Sequence, residues 1–258
     1  MNYLILLFII FIVLLFLYML ALAFQVNVKK HSIIIKEMKD GEQFHVFFIS
    51  DIHRRKIPEK LINSLQGRVD IVVIGGDLTE KGVPIERTKA NIRQLSKLGI
   101  VYYVYGNNDR EIGEKQLNSM LNEYDVHILN NTSTGIINGQ SIIRLVGIND
   151  GFNGRVKIYD AFQNVSKDDI IIFVSHAPAF FNNAKKIICP HLLLAGHLHG
   201  GQIRFGPFGI YENGTFRQKE NSAELISNGF GTTGFPLRLG AKSECHIITL
   251  FGKVDENN

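Results

Sequence analysis

The chain has 258 residues, 45% of them hydrophobic and 20% charged, with a formal net charge of +4. That length gives one well-buried domain of ordinary size, and so mild a basic excess suits phosphate or an anionic lipid surface without being a nucleic-acid footprint. The mean hydropathy of +0.07 is high for a freely soluble protein and excludes a disordered one.

The hydropathy has one main source. Residues 3–24, YLILLFIIFIVLLFLYMLALAF, are 22 consecutive residues without charge, Gly or Pro. As a helix rising ~1.5 Å per residue the run extends about 33 Å, enough to cross a hydrocarbon core of ~30 Å. Residues 1–25 therefore read as a single transmembrane signal anchor. Ala21-Leu22-Ala23 has the small residues of a cleavage site, but the run lacks a basic leader and exceeds the ~7–15 apolar residues of a cleaved signal. Lys29, Lys30 and Lys36 follow it and no Lys or Arg precedes it. That asymmetry predicts a single-pass protein of the cell membrane with its large domain in the cytoplasm. The two cysteines, Cys189 and Cys245, suit an intracellular domain that needs no disulfide.

Residues 26–44 read as a tether and first strand, and 45–258 as one domain. His45–Ser50 and Asp70–Ile74 are short apolar strands with a helix over Pro58–Leu65 between them. Pro84–Leu98 reads as a helix with Ile85, Ile92, Leu95 and Leu98 inward and Gly99 as its stop. Ile100–Tyr105 is a third buried strand and Glu114–Glu123 a further helix. His127–Asn131, Gly135–Ile137 and Ser141–Ile148 follow as a meander between Asn and Gly turns. Ile170–Ser175 and His191–Ala195 are buried strands. Gln202–Phe205, Gly209–Tyr211, Glu224–Ser227 and Cys245–Phe251 complete the β-rich second half. Helix-strand units followed by mostly strand predict an α/β sandwich of two sheets packed face to face with helices outside.

Five polar clusters lie directly after predicted strands: Asp51-Ile52-His53, Gly75-Gly76-Asp77, Gly106-Asn107-Asn108-Asp109, Ser175-His176-Ala177-Pro178 and Gly196-His197-Leu198-His199-Gly200. Carboxyl ends of strands are where α/β folds build ligand sites. The clusters offer three carboxylates and four imidazoles, a donor set suited to Mn²⁺, Fe or Zn²⁺. In an extended segment residues two apart point the same way, so Asp51 and His53 can face one centre, as can His197 and His199. Each cluster alone is weak. All five in this order are not.

The order DxH, GGD, GN(x)D, SHAP, GHxHGGQ resembles the calcineurin-like metallophosphoesterase superfamily over roughly residues 44–251. GGDLTEKG, GHLHGGQIRFGPFG and SNGFGTTGFPLRLG look like its bacterial membrane-anchored branch. The resemblance implies a four-layer αββα sandwich of two mixed sheets, preceded here by one transmembrane helix. It also implies two divalent metal ions, Mn²⁺ foremost, with Fe or Zn²⁺ as alternatives. Asp51, His53 and His199 would hold the first ion, Asn107, His176 and His197 the second, and Asp77 would bridge them. Two cations ~3.5–4 Å apart clamp phosphoryl oxygens and turn a water into hydroxide for in-line attack. The implied activity is hydrolysis of a phosphate mono- or diester, on a phosphorylated small molecule or a lipid-linked phosphate.

One position departs from the pattern. The superfamily usually has His, thought to protonate the leaving group, where this chain has Asn108; Asn108 and Asp109 are the catalytic candidates, Asp109 as a substitute acid that at an ordinary pKa of ~3.9 would be mostly ionised at pH 7. An amide can donate a hydrogen bond but cannot deliver a proton, and losing a general acid costs ~10²–10⁴-fold. The substitution keeps a second reading open, a non-catalytic metal-dependent protein that binds a phosphorylated ligand at the membrane. A nuclease of the same superfamily is a third, without a basic stripe to support it. Arg54, Arg55 and Lys56 read as a basic rim or a solvated loop. Phe205, Phe208, Phe230 and Phe235 read as packing or as an apolar rim on the bilayer. Leu237-Arg238-Leu239 carries no assignable role. Because the site is complete without the apolar run, a chain starting near Gln25 is expected to fold.

Overall fold

A computed structural model describes residues 2–152, 154–219 and 221–253. The apolar run forms helix α1 (Asn2–Phe24), followed by strands β1 (Val28–Ile34) and β2 (Gln43–Ile49). Then come α2 (Glu59–Leu65), β3 (Ile71–Ile74), α3 (Ile85–Leu95), β4 (Ile100–Tyr103), α4 (Glu114–Glu123) and β5 (His127–Ile128). The second half runs β6 (Thr132–Asn138), β7 (Ser141–Gly147), α5 (Ile158–Ala161), β8 (Ile170–Val174), α6 (Phe181–Ile187) and β9 (Leu192–Ala195). It ends with β10 (Thr215–Lys219), β11 (Ser222–Ile226) and β12 (Cys245–Phe251).

The strands form two six-stranded sheets, in the orders β1-β12-β2-β3-β4-β5 and β10-β11-β9-β8-β7-β6. Both are mixed. In the first only β12 and β2 pair antiparallel. In the second, β6 on β7 and β10 on β11 are antiparallel, while β7, β8, β9 and β11 run parallel. The expected meander thus ends at the hairpin of β6 and β7. The apolar runs that the strands present are buried on both faces, as parallel strands covered twice require. In β2, Phe44, Val46 and Phe48 face the second sheet among Ile143, Leu145 and Ile172. Phe47 and Ile49 face outward onto Leu61, Ile92 and Leu121 of the helices. Phe173 and Leu193 face outward from the second sheet onto Phe181 and Ala184 of α6. The result is the four-layer αββα sandwich.

One helix and two sequence stretches differ in detail. Ile85 at the start of α3 is exposed, not inward. Gln202–Phe205 and Gly209–Tyr211 are not strands but one loop, closed by an isolated bridge between Phe205 and Phe208, because Gly206-Pro207 turns the chain after a single pair. Both cysteines are free thiols.

Helix α1 is apolar from Tyr3 to Phe24 and almost wholly exposed there, with Leu22 and Ala23 of its last turn buried against the domain. The register shows where it arrives. Val28 of β1 pairs with Cys245 of β12, and His246 pairs with Phe48 near the carboxyl end of β2. The helix therefore meets the sandwich at the edge where the polar clusters emerge.

Candidate metal centre

The ligand candidates sit two to four residues past strand ends, and in three of the five clusters strained backbone aims their side chains. Asp51, His53, Asp77, His197 and His199 have φ of 54°, 50°, 50°, 73° and 50°. A left-handed non-glycine residue costs of order 1–3 kcal/mol and persists where its surroundings over-determine it. Close approach by glycine is part of that: a Cβ at Gly106 would collide with Asp77 Oδ1, and one at Gly196 with Asp51 Oδ2. These residues are not in extended segments, so the two-apart rule does not govern them. His197 and His199 turn to different neighbours, whereas Asp51 and His53 share one centre.

His199 joins Asp51 and His53. Its Nε2 lies 3.2 Å from His53 Nε2 and 3.3 Å from Asp51 Oδ1. His197 joins His176 instead, Nδ1 to Nε2 at 3.2 Å, and His176 Nε2 lies 3.1 Å from Asn107 Oδ1. Asp77 stands between the two sets, with Oδ2 3.7 Å from His53 Nε2 and 3.4 Å from His176 Nε2. Among the described residues, Asp51, His53 and His199, and again Asp51, Asp77 and His176, bring donor atoms within 4.8 Å of one another. Asp51 thus belongs to both groups.

The electrostatics are those of charge packed for a counter-ion. Burial alone would push the Asp51 and Asp77 carboxyls up, but His199 facing Asp51 and His176 facing Asp77 hold both below the usual carboxylate range. Burial works against a charged His176 as well, yet Asp77 and Asp51 push it up to about 10. His197 and His199 are lowered, chiefly by burial. Two buried carboxylates and a cluster of imidazoles with facing nitrogens fit hard or borderline divalent cations. Neither cysteine belongs to either group.

Asp109 belongs to neither donor group. Fully buried at the start of a 3-10 turn (Asp109–Ile112), it accepts the backbone N–H of Asp77, Gly106 and Thr79 at 2.8, 2.8 and 3.0 Å and the Tyr103 hydroxyl at 2.7 Å. Asn108 lies at the cleft, its backbone N–H donating to Asp77 Oδ1 at 2.8 Å. It lines a cavity of about 500 Å³ with Asp77, Asn107, His197, Ile210 and Tyr211.

Four residues escape the sequence reading. Glu80 Oε2 lies 2.9 Å from His53 Nδ1 and orients that ring from behind. The Thr233 hydroxyl lies 3.3 Å from His199 Nε2. Arg238 is fully buried; its guanidinium donates to the carbonyls of Asn228 and Gly231, both at 2.6 Å, and to Ala241 at 3.1 Å, and lies 3.4 Å from His199 Nδ1. Arg55 is no rim residue. It is buried, stacks on Phe230 and donates to the carbonyls of Phe24 and Gln25 at 2.6 and 2.7 Å. Glu80 had a weak signal, an acid three residues after Asp77. The two arginines had none, because their partners are chiefly backbone carbonyls, which no side-chain pattern marks.

The family model for calcineurin-like phosphoesterases matches residues 44–201. The uncharacterized protein YpbG of Bacillus subtilis (strain 168) is 38% identical over 228 residues, 88% of this chain and 88% of that one. The uncharacterized metallophosphoesterase YkoQ of the same strain is 27% identical over 242 residues, 84% of this chain and 88% of its own. Among solved structures, a 5′-nucleotidase precursor from Thermus thermophilus superposes with a TM-score of 0.50 at 12% identity. It covers 80% of this chain and 55% of that one, a likeness of fold alone.

Proposed function

This chain belongs to the calcineurin-like phosphoesterase family, and we propose from that premise that it hydrolyses a phosphate mono- or diester at two divalent cations on the membrane. Asp51, His53 and His199 would hold one cation, Asn107, His176 and His197 the other, and Asp77 would bridge them. Mn²⁺ suits this nitrogen-and-oxygen donor set best, with Fe or Zn²⁺ as alternatives. When bound, the pair supplies Lewis-acid polarisation of the phosphoryl oxygens and lowers the pKa of an attacking water. Residues 1–25 serve as the anchor, 26–44 as tether and first strand, and 45–258 as the catalytic domain, whose last five residues lie outside those described. The lysines after α1 support a cytoplasmic domain. The substrate is a phosphorylated small molecule or a lipid-linked phosphate.

The observation that carries the reading is the position of Asp77 Oδ2 between His53 Nε2 and His176 Nε2. The chain's own groups do the rest. Glu80 fixes the His53 ring, Asp109 holds the Asp77 and Asn107 loops together, and Asn108 presents an amide that can donate to a phosphate oxygen without supplying a proton.

The test is hydrolysis of an aryl phosphodiester by the detergent-purified full chain. Turnover should require added Mn²⁺ and vanish in Asp77→Ala and His199→Ala. Full activity in those variants would sink the ligand assignment. Retained metal without hydrolysis of any aryl ester would favour a phospho-ligand-binding protein.

A further inference from the structure

We propose that the loops 203–211 and 232–239 form an apolar rim seated in the lipid interface, so that the metal cleft opens directly onto the bilayer surface. The inference rests on α1 spanning the membrane, and extends that reading from an anchor to the orientation of the domain.

The first observation is that α1 is docked and not hung on a flexible tether. Leu22 and Ala23 are buried against the domain. The Arg238 backbone N–H donates to the Met19 carbonyl at 3.1 Å, and the Arg55 guanidinium holds the carbonyls of Phe24 and Gln25. The domain cannot rotate freely beneath its anchor. The pairing of Val28 with Cys245 brings the helix to the edge that carries the metal ligands.

The second observation is depth. Met19 lies five residues before the end of α1, so the 232–239 loop runs alongside the last ~7–8 Å of the span. That is the ~5–10 Å to which interfacial apolar faces sink between headgroups and acyl chains. Gln202 couples the other loop to this one: its amide donates to the carbonyls of Thr233 and Phe235 at 3.1 and 3.2 Å, and its oxygen accepts the Thr233 N–H at 3.0 Å. Arg204 N–H donates to the Leu239 carbonyl at 2.7 Å. The two loops move as one piece.

The third observation is what these loops show to solvent. Phe205, Phe208, Ile210 and Phe235 are 70, 77, 81 and 81% exposed. Large apolar side chains this exposed, beside a helix that needs hydrocarbon, match a lipid surface. Ile210 and Tyr211 also line the cavity that contains Asp77, His197 and His199. A phosphate at lipid-headgroup height therefore faces the metal ligands while its chains remain in the membrane.

The chain contains no tryptophan, so a single one reports on its own surroundings. Full-length Phe208→Trp and Phe235→Trp are reconstituted into phosphatidylcholine–phosphatidylglycerol vesicles with acyl-brominated phosphatidylcholine. Phe11→Trp, inside α1, serves as the anchor reference. Ile137→Trp serves as the distal one, because Ile137 is exposed and pairs with Ile142 near the amino end of β7, at the edge opposite the cleft. Hydrolysis of a soluble aryl phosphodiester checks that each variant is folded. The expected result is a blue shift and loss of most emission at Phe208, Phe235 and Phe11, with no quenching at Ile137. Quenching at Phe11 without quenching at the rim overturns the seating while leaving the anchor intact. No quenching at Phe11 removes the anchor and this inference with it, leaving the phosphoesterase reading untouched. Rim tryptophans shielded from iodide yet unquenched by bromolipid would mean that a protein covers the rim, which also overturns it.

Discussion

Asp109 Oδ2 accepts the backbone N–H of Asp77 at 2.8 Å. One ionisable side chain thereby sets the loop that presents another. The same carboxylate collects Gly106, Thr79 and Tyr103, tying the turn after β3 to the turn after β4, which carries Asn107. Burial and the negative charge of Asp77 push this carboxyl up to about 7, so its position is maintained by the donors around it.

Asp109→Asn should therefore act on stability and on metal affinity together. The amide replaces one acceptor oxygen with a donor facing a backbone N–H, and an orphaned buried donor costs about 1–3 kcal/mol. Tyr103→Phe, which removes one donor of the set and leaves the acceptors intact, should cost about 1 kcal/mol. Chemical denaturation with and without Mn²⁺ measures both. Asp109→Asn matching the wild type in both conditions would show that the carboxylate clamps nothing.

Asn108 lines the cleft with its backbone fixed on Asp77 Oδ1, at the position where the resemblance implies the leaving group's proton donor. Asn108→His should raise kcat on esters with poor leaving groups by up to ~10²-fold and change little on aryl esters whose leaving group needs no proton. The informative measurement is the slope of log kcat against leaving-group pKa. The slope should flatten in the variant, and parallel slopes would count against a missing acid.

The sequence displayed the ligand candidates because each sits just beyond a buried apolar strand, where a charged residue is conspicuous. Asp51 after HVFFIS and His176 after IIIFVS are such cases. Their aim was legible only in part. Of the two pairs expected to face one centre, Asp51 and His53 do so with His199, whereas His197 turns to His176 instead, although all four of Asp51, His53, His197 and His199 have left-handed backbone. The sheet order was legible only in outline, since β1 and β10 are edge strands (VKKHSII and TFRQK) with too few apolar residues to announce themselves. Arg238 and Arg55 were opaque for a different reason. Their role is to satisfy carbonyls of chain segments that pattern reading treats as loops or as an independent anchor.

His246 should give the protein an acid limb of instability. It is buried in β12, with Nε2 2.9 Å from Ser227 Oγ and Nδ1 3.2 Å from His31 Nε2. Burial, then His31 and Lys29, push it down to about 3 from an ordinary 6.5. Between those values the unfolded chain binds a proton that the folded one refuses. The stability this group contributes is full above pH 6.5 and falls as pH drops toward 3, by about 1.4 kcal/mol per unit. His246→Gln, which keeps a neutral polar group there, should show a shallower loss of Tm between about pH 6.5 and 4.5. Equal slopes for variant and wild type would place the acid sensitivity elsewhere.

A chain starting near Gln25, though expected to fold, should be less stable than one that keeps the last turn of α1. Arg55 is buried, and two of its carbonyl partners belong to Phe24 and Gln25. The Met19 carbonyl accepts the Arg238 N–H, and Arg238 in turn supports His199. A chain trimmed to begin at Gln25 loses the Phe24 carbonyl and the Leu22 and Ala23 contacts, and it places a positive amino terminus beside a buried guanidinium. Hydrogen bonds to a charged group contribute about 1.5–3 kcal/mol, so that chain should melt earlier than one beginning at Met19, which retains the whole last turn. Arg55→Met, which removes the buried charge together with its need for carbonyls, should shrink the difference between the two lengths. If both lengths melt together with Arg55 in place, the last turn of α1 is a passenger and the coupling between α1 and the site is absent.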